Sequence, residues 1–350
     1  MPRLPKGGVL LKARLSNLTS DIHSIGEAMT TARLVKRPKH AIAAGLIWLA
    51  LLLLTATGQA LAQPSQTAAE SLGADATAAP HHLAASPDRP LDSLVMGQGP
   101  TLVLLTGYAM TKEMWDAGLI DALARGHRLV LLDYRGMGET PLGEAADISL
   151  ASMADDVVRT MAGLEIEKAH ILGWSMGGMV AQEIALSRPE AVCSLTLLGT
   201  SGEFASVRPA ADRLGAMGPE DILASMFPAA WSAAHPEAAG RVRPRTRPLD
   251  LAAVSRQYAA MLGWPGLAGR LGKTSPPVLI LAGSDDWVCP LRLSEALRDS
   301  YAAVPGSNVR LEVLENGSHW MMHQFPDALS AAVVDFIARR PCPDAQRKQP

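Results

Sequence analysis

The stretch Gly173-Trp174-Ser175-Met176-Gly177-Gly178 constrains this chain most, because it joins an apolar run, Ala169 to Leu172, to a helix-like one, Met179 to Leu186. The pattern predicts a strand, a very tight turn and a helix. Small residues two positions either side of Ser175 let the backbone turn sharply enough to hold the hydroxyl clear of both elements, the geometry a serine nucleophile needs. A serine is a poor nucleophile at its free pKa and needs a base within hydrogen-bond reach and an acid to orient that base. Candidates for both lie downstream, in the order Ser, Asp, His.

The chain has 350 residues, and the early part does not pattern as packed core. Lys36, Arg37 and Lys39 precede the apolar run Ala41 to Thr57, and Ala60-Leu61-Ala62 follows with the small-x-small pattern of a signal-peptidase site. This tripartite layout predicts a secretory signal peptide over residues 1–62, and a start at Met29 would give it a basic flank of ordinary length. The uncharged stretch continues to Ala69, so an uncleaved membrane anchor is the alternative. Either reading places the rest of the chain outside the cytosol, periplasmic or secreted, since the positive flank stays inside. Residues 63–85, rich in Ala, Ser, Thr and Pro, read as a linker and residues 341–350 as a tail. Residues 86–340 suit one α/β domain with an insertion.

Without residues 1–62 the chain keeps 24 of its 32 basic and 32 of its 34 acidic residues, a formal charge of −8. That balance argues against nucleic acid or anionic membrane as a partner. Of three cysteines, Cys193 begins an apolar run and Cys342 lies in a polar tail. The expectation is a buried free thiol at Cys193 and no essential disulfide.

Short apolar runs alternate with amphipathic segments, which predicts a mostly parallel central sheet with helices on both faces. Leu91 to Met96 is an early strand, paired with His82 to Ala85 across the Pro87-Asp88-Arg89-Pro90 turn. Further strands are expected at Leu102 to Leu105, Leu129 to Leu132, Ala169 to Leu172, Leu195 to Leu198, Val278 to Leu281 and Val309 to Leu314, with helices between them. Residues 202–276 interrupt the pattern with Met, Ala, Trp and Pro and read as short helices. An insertion there sits over the carboxyl ends of the strands, as a helical lid would. Asp155 and Asp156 read as a solvated helical face, and His127, His170, His235 and His323 as solvated or core residues.

Several separated motifs now resemble the α/β-hydrolase superfamily, from residue 91 to 340. Leu104-Leu105-Thr106-Gly107-Tyr108 resembles its strand-to-loop segment, Asp133-Tyr134-Arg135-Gly136-Met137-Gly138 its Asp-x-Arg-Gly-x-Gly segment, and Gly173 to Gly177 its nucleophile elbow. Gly283 to Pro290 resembles the acid loop, and Gly317-Ser318-His319 the histidine loop. The resemblance implies the α/β-hydrolase fold, with Ser175 as nucleophile and His319 as base. Asp285 and Asp286 are both candidates for the acid, and the family spacing selects Asp286. The backbone N–H of Met176, at the helix start, is one expected oxyanion donor, and the family position after the glycine implies the N–H of Tyr108 as the other. The chain departs from the pattern at Thr106, where histidine is usual, which bears on how that loop packs.

These residues predict a serine hydrolase that cleaves small, fairly apolar carboxylic esters through an acyl-enzyme. Trp174, Met110, Trp287 and Trp320 flank the motifs and are the candidate substrate contacts. No metal or organic cofactor is expected, because no ligand spacing or dinucleotide loop is present. Relatives with the same triad include lactonases, C–C bond hydrolases, acyltransferases and cofactor-free perhydrolases, and a non-catalytic binding protein on this fold is a further alternative.

Overall fold

The computed structural model describes residues 79–342, apart from 144–147, 238–241, 243–246 and 273–274. The expected signal segment, the start at Met29, most of the linker and nearly all of the tail lie outside the described residues. Continuous Leu and Val runs form strands where the chain is covered on both faces, as in β3 (Thr101–Leu105), which is buried along its whole length. The other strands are β1 (His81–Leu83), β2 (Ser93–Met96), β4 (Arg128–Leu132), β5 (Ala169–Trp174), β6 (Val192–Leu198), β7 (Val278–Gly283) and β8 (Val309–Leu314). Among the described residues these make one sheet in the order β1-β2-β4-β3-β5-β6-β7-β8. β1 and β2 are antiparallel to their neighbours and the remainder are parallel.

The helices, in chain order, are α1 (Ala117–Ala124), α2 (Leu150–Gly163), α3 (Met176–Ser187), α4 (Arg208–Gly215), α5 (Pro219–Ser225), α6 (Ala229–Ala234), α7 (Leu251–Leu262), α8 (Leu291–Ala302), α9 (Met321–Gln324) and α10 (Pro326–Ala338). From β3 the chain crosses through α1 to β4 in one direction along the sheet, whereas from β4 it returns past β3 and proceeds through β5 to β8 in the other. Right-handed crossovers in opposite directions put their helices on opposite faces. Accordingly α1 packs with α10, and α2 with α3. The direction reverses at β3, and the crevice at the carboxyl ends of β3 and β5 is where a ligand fits in such sheets.

Charged side chains buried in this framework are paired with opposite charges. Lys112 is buried, its Nζ donating to Asp92 at 2.6 Å and also to Asp133, while its backbone N–H donates to Asp133 Oδ1 at 2.7 Å. Burial alone would lower the Lys112 pKa, but Asp133 and Asp92 hold it above the ordinary value. The cluster ties the loop after β3 to β2 and to the end of β4. Asp155 is exposed, but Asp156 departs from the solvated face expected of it. It is buried, and Arg135 of the Asp-x-Arg-Gly-x-Gly segment grips both carboxylate oxygens at 2.5 and 2.6 Å.

The cysteine expectation is corrected. Cys193 and Cys342 form a disulfide, with their Cα atoms 5.6 Å apart, and only Cys289 is a free buried thiol among the described residues. The cause is topological: α10 runs back along the sheet, so the chain beyond it ends beside the amino-terminal ends of β5 and β6, where Cys342 Sγ lies 3.6 Å from the Lys168 carbonyl. No periodicity in a polar tail signals that return.

Candidate active site

Ser175 follows β5 directly and begins α3, with φ 56° and ψ −120°. A non-glycine residue holds such a conformation only where its surroundings enforce it. Its N–H donates to the Leu198 carbonyl at 3.0 Å, and its own carbonyl accepts from Thr200 Oγ1 at 2.7 Å. The glycines on either side are required by space. A Cβ on Gly173 would overlap the Gly177 carbonyl, and one on Gly177 would overlap the Leu105 carbonyl at the end of β3.

His319 lies on the loop after β8, and its Nε2 is 3.1 Å from Ser175 Oγ. Its Nδ1 is 2.9 Å from Asp286 Oδ2, on the loop after β7. The other carboxylate oxygen, Oδ1, accepts the backbone N–H groups of Val288 and Cys289 at 2.9 and 2.8 Å. A carboxylate only accepts, so Nδ1 carries the imidazole proton and Nε2 is left to accept from the serine hydroxyl. Of the two candidate acids the structure brings Asp286 to the histidine. Asp285 is exposed, and its N–H donates to the Gly317 carbonyl at 2.9 Å.

The histidine loop is held from below by Gln324, a residue the motifs did not single out. Its Oε1 accepts the N–H and the hydroxyl of Ser318, each at 2.7 Å, and its Nε2 donates to the Asn316 carbonyl at 3.1 Å. Trp174 Nε1 donates to the His319 carbonyl at 3.1 Å. Cys289 sits next to the acid, but burial first and the Asp286 charge second push its thiol pKa well up, which leaves it unreactive.

Met176 occupies the first turn of α3, where an N–H has no carbonyl a turn earlier to bond within the helix. Tyr108 lies on the loop after β3, and Gly107 faces Ser175 closely enough that an added Cβ would stand 3.3 Å from the serine Cβ. Thr106, in the place where histidine is usual, spans this loop by donating its hydroxyl to the Met110 carbonyl at 3.3 Å.

A cleft of about 830 Å³, measured to include its solvent-open mouth, leads to Ser175. Tyr108, Met110, Trp174, Met176 and Trp320 line it from the sheet side. Phe204, Leu214 and Met226 close it from the segment that carries α4 and α5. Trp287, the fourth candidate contact, is not in the lining. Its Nε1 donates to the Ser225 carbonyl at 2.7 Å and the Arg213 guanidinium stacks on its ring at 4.5 Å, so it fastens α4 and α5 to the acid loop. The described lining has no Lys, Arg, Asp or Glu. Among the described residues no group of three or more His, Cys, Asp or Glu is placed to hold a metal ion, and no helix is long and apolar enough to cross a membrane.

Residues 100–221 match the family model for the alpha/beta hydrolase fold. Over 261 residues the chain is 30% identical to the "Putative carbamate hydrolase RutD" of Variovorax paradoxus, an alignment that covers 70% of this chain and 94% of that protein. The chain belongs to the α/β-hydrolase family. This α/β-hydrolase is also 43% identical over 108 residues to the pimeloyl-[acyl-carrier protein] methyl ester esterase of Aeromonas hydrophila, across 31% of this chain and 41% of that one. Among solved structures, a hydrolase from Pseudomonas aeruginosa aligns with a TM-score of 0.61 at 26% identity, covering 74% of this chain and 98% of that chain. The family assignment makes the chain a hydrolase.

Proposed function

We propose that this α/β-hydrolase cleaves small, uncharged, fairly apolar carboxylic esters through an acyl-enzyme on Ser175. The observation that carries the reading is the continuous hydrogen-bonded line from Ser175 through His319 to Asp286 at the floor of an apolar cleft. In the forward half-reaction Ser175 Oγ attacks the ester carbonyl as its proton passes to His319 Nε2, and Asp286 stabilises the imidazolium. The backbone N–H groups of Met176 and Tyr108 receive the developing oxyanion, where each such donor is worth about 3 kcal/mol. His319 then protonates the departing alcohol, and a water activated by the same nitrogen releases the acid.

Two of the relatives named above have a carbamate or a methyl ester in their names, and a serine nucleophile would open either bond at its acyl carbon. The lining favours esters whose two sides are apolar, since a charge carried into a cleft with no opposite charge loses hydration without compensation. The segment over the cleft acts as a lid. Export of the enzyme accords with the Cys193–Cys342 disulfide, which belongs to oxidising compartments, and N-terminal sequencing of the secreted protein is expected to begin at Gln63. A set of p-nitrophenyl esters tests substrate class. The butanoate is expected to exceed an acyl chain of similar length ending in carboxylate by about 100-fold or more in kcat/KM, and equal rates would contradict the reading.

A further inference from the structure

Gln257 lies on α7, outside every motif of the proposed chemistry, yet it reaches the loop that carries Tyr108. Its Oε1 accepts the backbone N–H of Ala109 at 3.0 Å, across 148 residues of sequence. Ala109 has φ 57°, in the left-handed region that an alanine disfavours. The Met110 N–H closes a turn on the Gly107 carbonyl at 3.3 Å, so Tyr108 and Ala109 are the central pair of a tight turn beside Ser175. The N–H that Gln257 holds belongs to the peptide between these two residues, so that bond is one of the ties on the turn, beside the Thr106 hydroxyl on the Met110 carbonyl.

The helix delivering this group is itself fastened. A Cβ on Gly136 would overlap Ala253, so α7 packs as closely as a glycine permits against the 133–138 loop. Tyr258, the next residue, donates to Asp212 at 2.5 Å and packs with its ring centroid 6.1 Å from that of Tyr108 and 5.8 Å from that of Phe204. Gln257 is fully buried, and its Nε2 has no hydrogen-bond partner among the described residues. A half-satisfied buried amide is a poor choice for stability alone, where an apolar side chain of the same size would serve better.

We infer that Gln257 is a positioning residue that sets the Tyr108 oxyanion donor by holding Ala109 in its left-handed conformation, which makes turnover conditional on the docking of α7. The inference rests on the serine-hydrolase reading given above. Replacing the amide by a thioether of similar length, Gln257→Met, removes the acceptor and keeps the bulk. Without it the turn relaxes toward conformations in which the Tyr108 N–H no longer faces the oxyanion.

Hydrolysis of p-nitrophenyl butanoate by the purified protein tests this. In Gln257→Met, kcat is expected to fall about 10- to 100-fold, less than or comparable to outright loss of a donor, with KM within about twofold. Adding Ala109→Gly, which enters the left-handed region without penalty, is expected to restore kcat by about fivefold or more. Should Gln257→Met not fold, Gln257→Asn withdraws the acceptor by one methylene and carries the same expectations. Unchanged kcat, a change confined to KM, or no recovery with Ala109→Gly overturns the role of Gln257 while leaving the nucleophile in place. Absence of Ser175-dependent turnover in the wild type would remove both the serine-hydrolase reading and this inference.

Discussion

Asp286 divides its carboxylate between the backbone and His319: one oxygen accepts the Val288 and Cys289 N–H groups, and the other lies 2.9 Å from Nδ1 of the imidazole. The backbone bonds leave the carboxylate a single orientation, and that orientation selects the imidazole tautomer. Asp286→Asn presents an amide that can donate where only an acceptor fits. It is expected to lower kcat by about 10³- to 10⁴-fold, whereas Asp285→Asn, on an exposed side chain, is expected to stay within about threefold. Steady-state kinetics of the two variants against one ester checks the pair.

The Cys193–Cys342 bond closes a loop with a sequence separation of 149 residues and holds the chain after α10 against the start of β6. Its removal by Cys193→Ser with Cys342→Ser is expected to cost about 2–4 kcal/mol, read as a lower urea midpoint. The bond is far from Ser175 in the topology, at the opposite ends of the strands, so kcat of the folded variant is expected to match the wild type. Mass spectrometry of the untreated protein should show one disulfide and one free thiol, at Cys289.

His170, in β5, bonds Ser194 Oγ through Nδ1 at 2.7 Å and is almost wholly buried. Burial first, and then the His127 and Arg340 charges, lower its pKa to about 4 from an ordinary value of 6.5. Between those two values the unfolded chain binds a proton that the folded protein does not, so stability rises with pH through that window and falls as pH drops from 6.5 toward 4. The stability present above pH 6.5 and lost by pH 4 is on the order of 3 kcal/mol. Urea unfolding at several pH values should show this slope in the wild type and a shallower one in His170→Gln, and equal slopes would contradict it. His127, also lowered chiefly by burial, acts with the same sign.

The elements nearest the chemistry were the most legible in the sequence. Ser175 could be read because its glycine neighbours serve a local steric need, which the overlap of any Cβ at Gly173 or Gly177 makes plain. His319 and the pair Asp285 and Asp286 could be read because each follows a buried or edge strand by a short loop in a fixed order, and the spacing of the family it resembles chose Asp286 from the pair. The Leu91 to Met96 run was read too long: the ladder begins at Ser93, because the backbone N–H groups of Leu91 and Asp92 donate to the Thr160 and Thr140 hydroxyl oxygens. What stayed hidden depends on which partner a polar or aromatic side chain meets. Gln257, 148 residues from its partner, and Gln324, six and eight residues from its partners, are uncharged polar residues within helices, and nothing in helical periodicity marks an amide as a clamp on a loop. Trp287 flanks the acid as a pocket residue would, but the position of Ser225 and Arg213 decides that it fastens the covering helices instead.

The central claim is that Ser175 is an activated nucleophile, and the most direct test is the intact mass of the purified protein after exposure to a fluorophosphonate. One adduct is expected on the wild type, mapped to Ser175 by peptide analysis, and none on folded Ser175→Ala. An unlabelled wild type that is folded, or an adduct that persists in Ser175→Ala, would contradict the account.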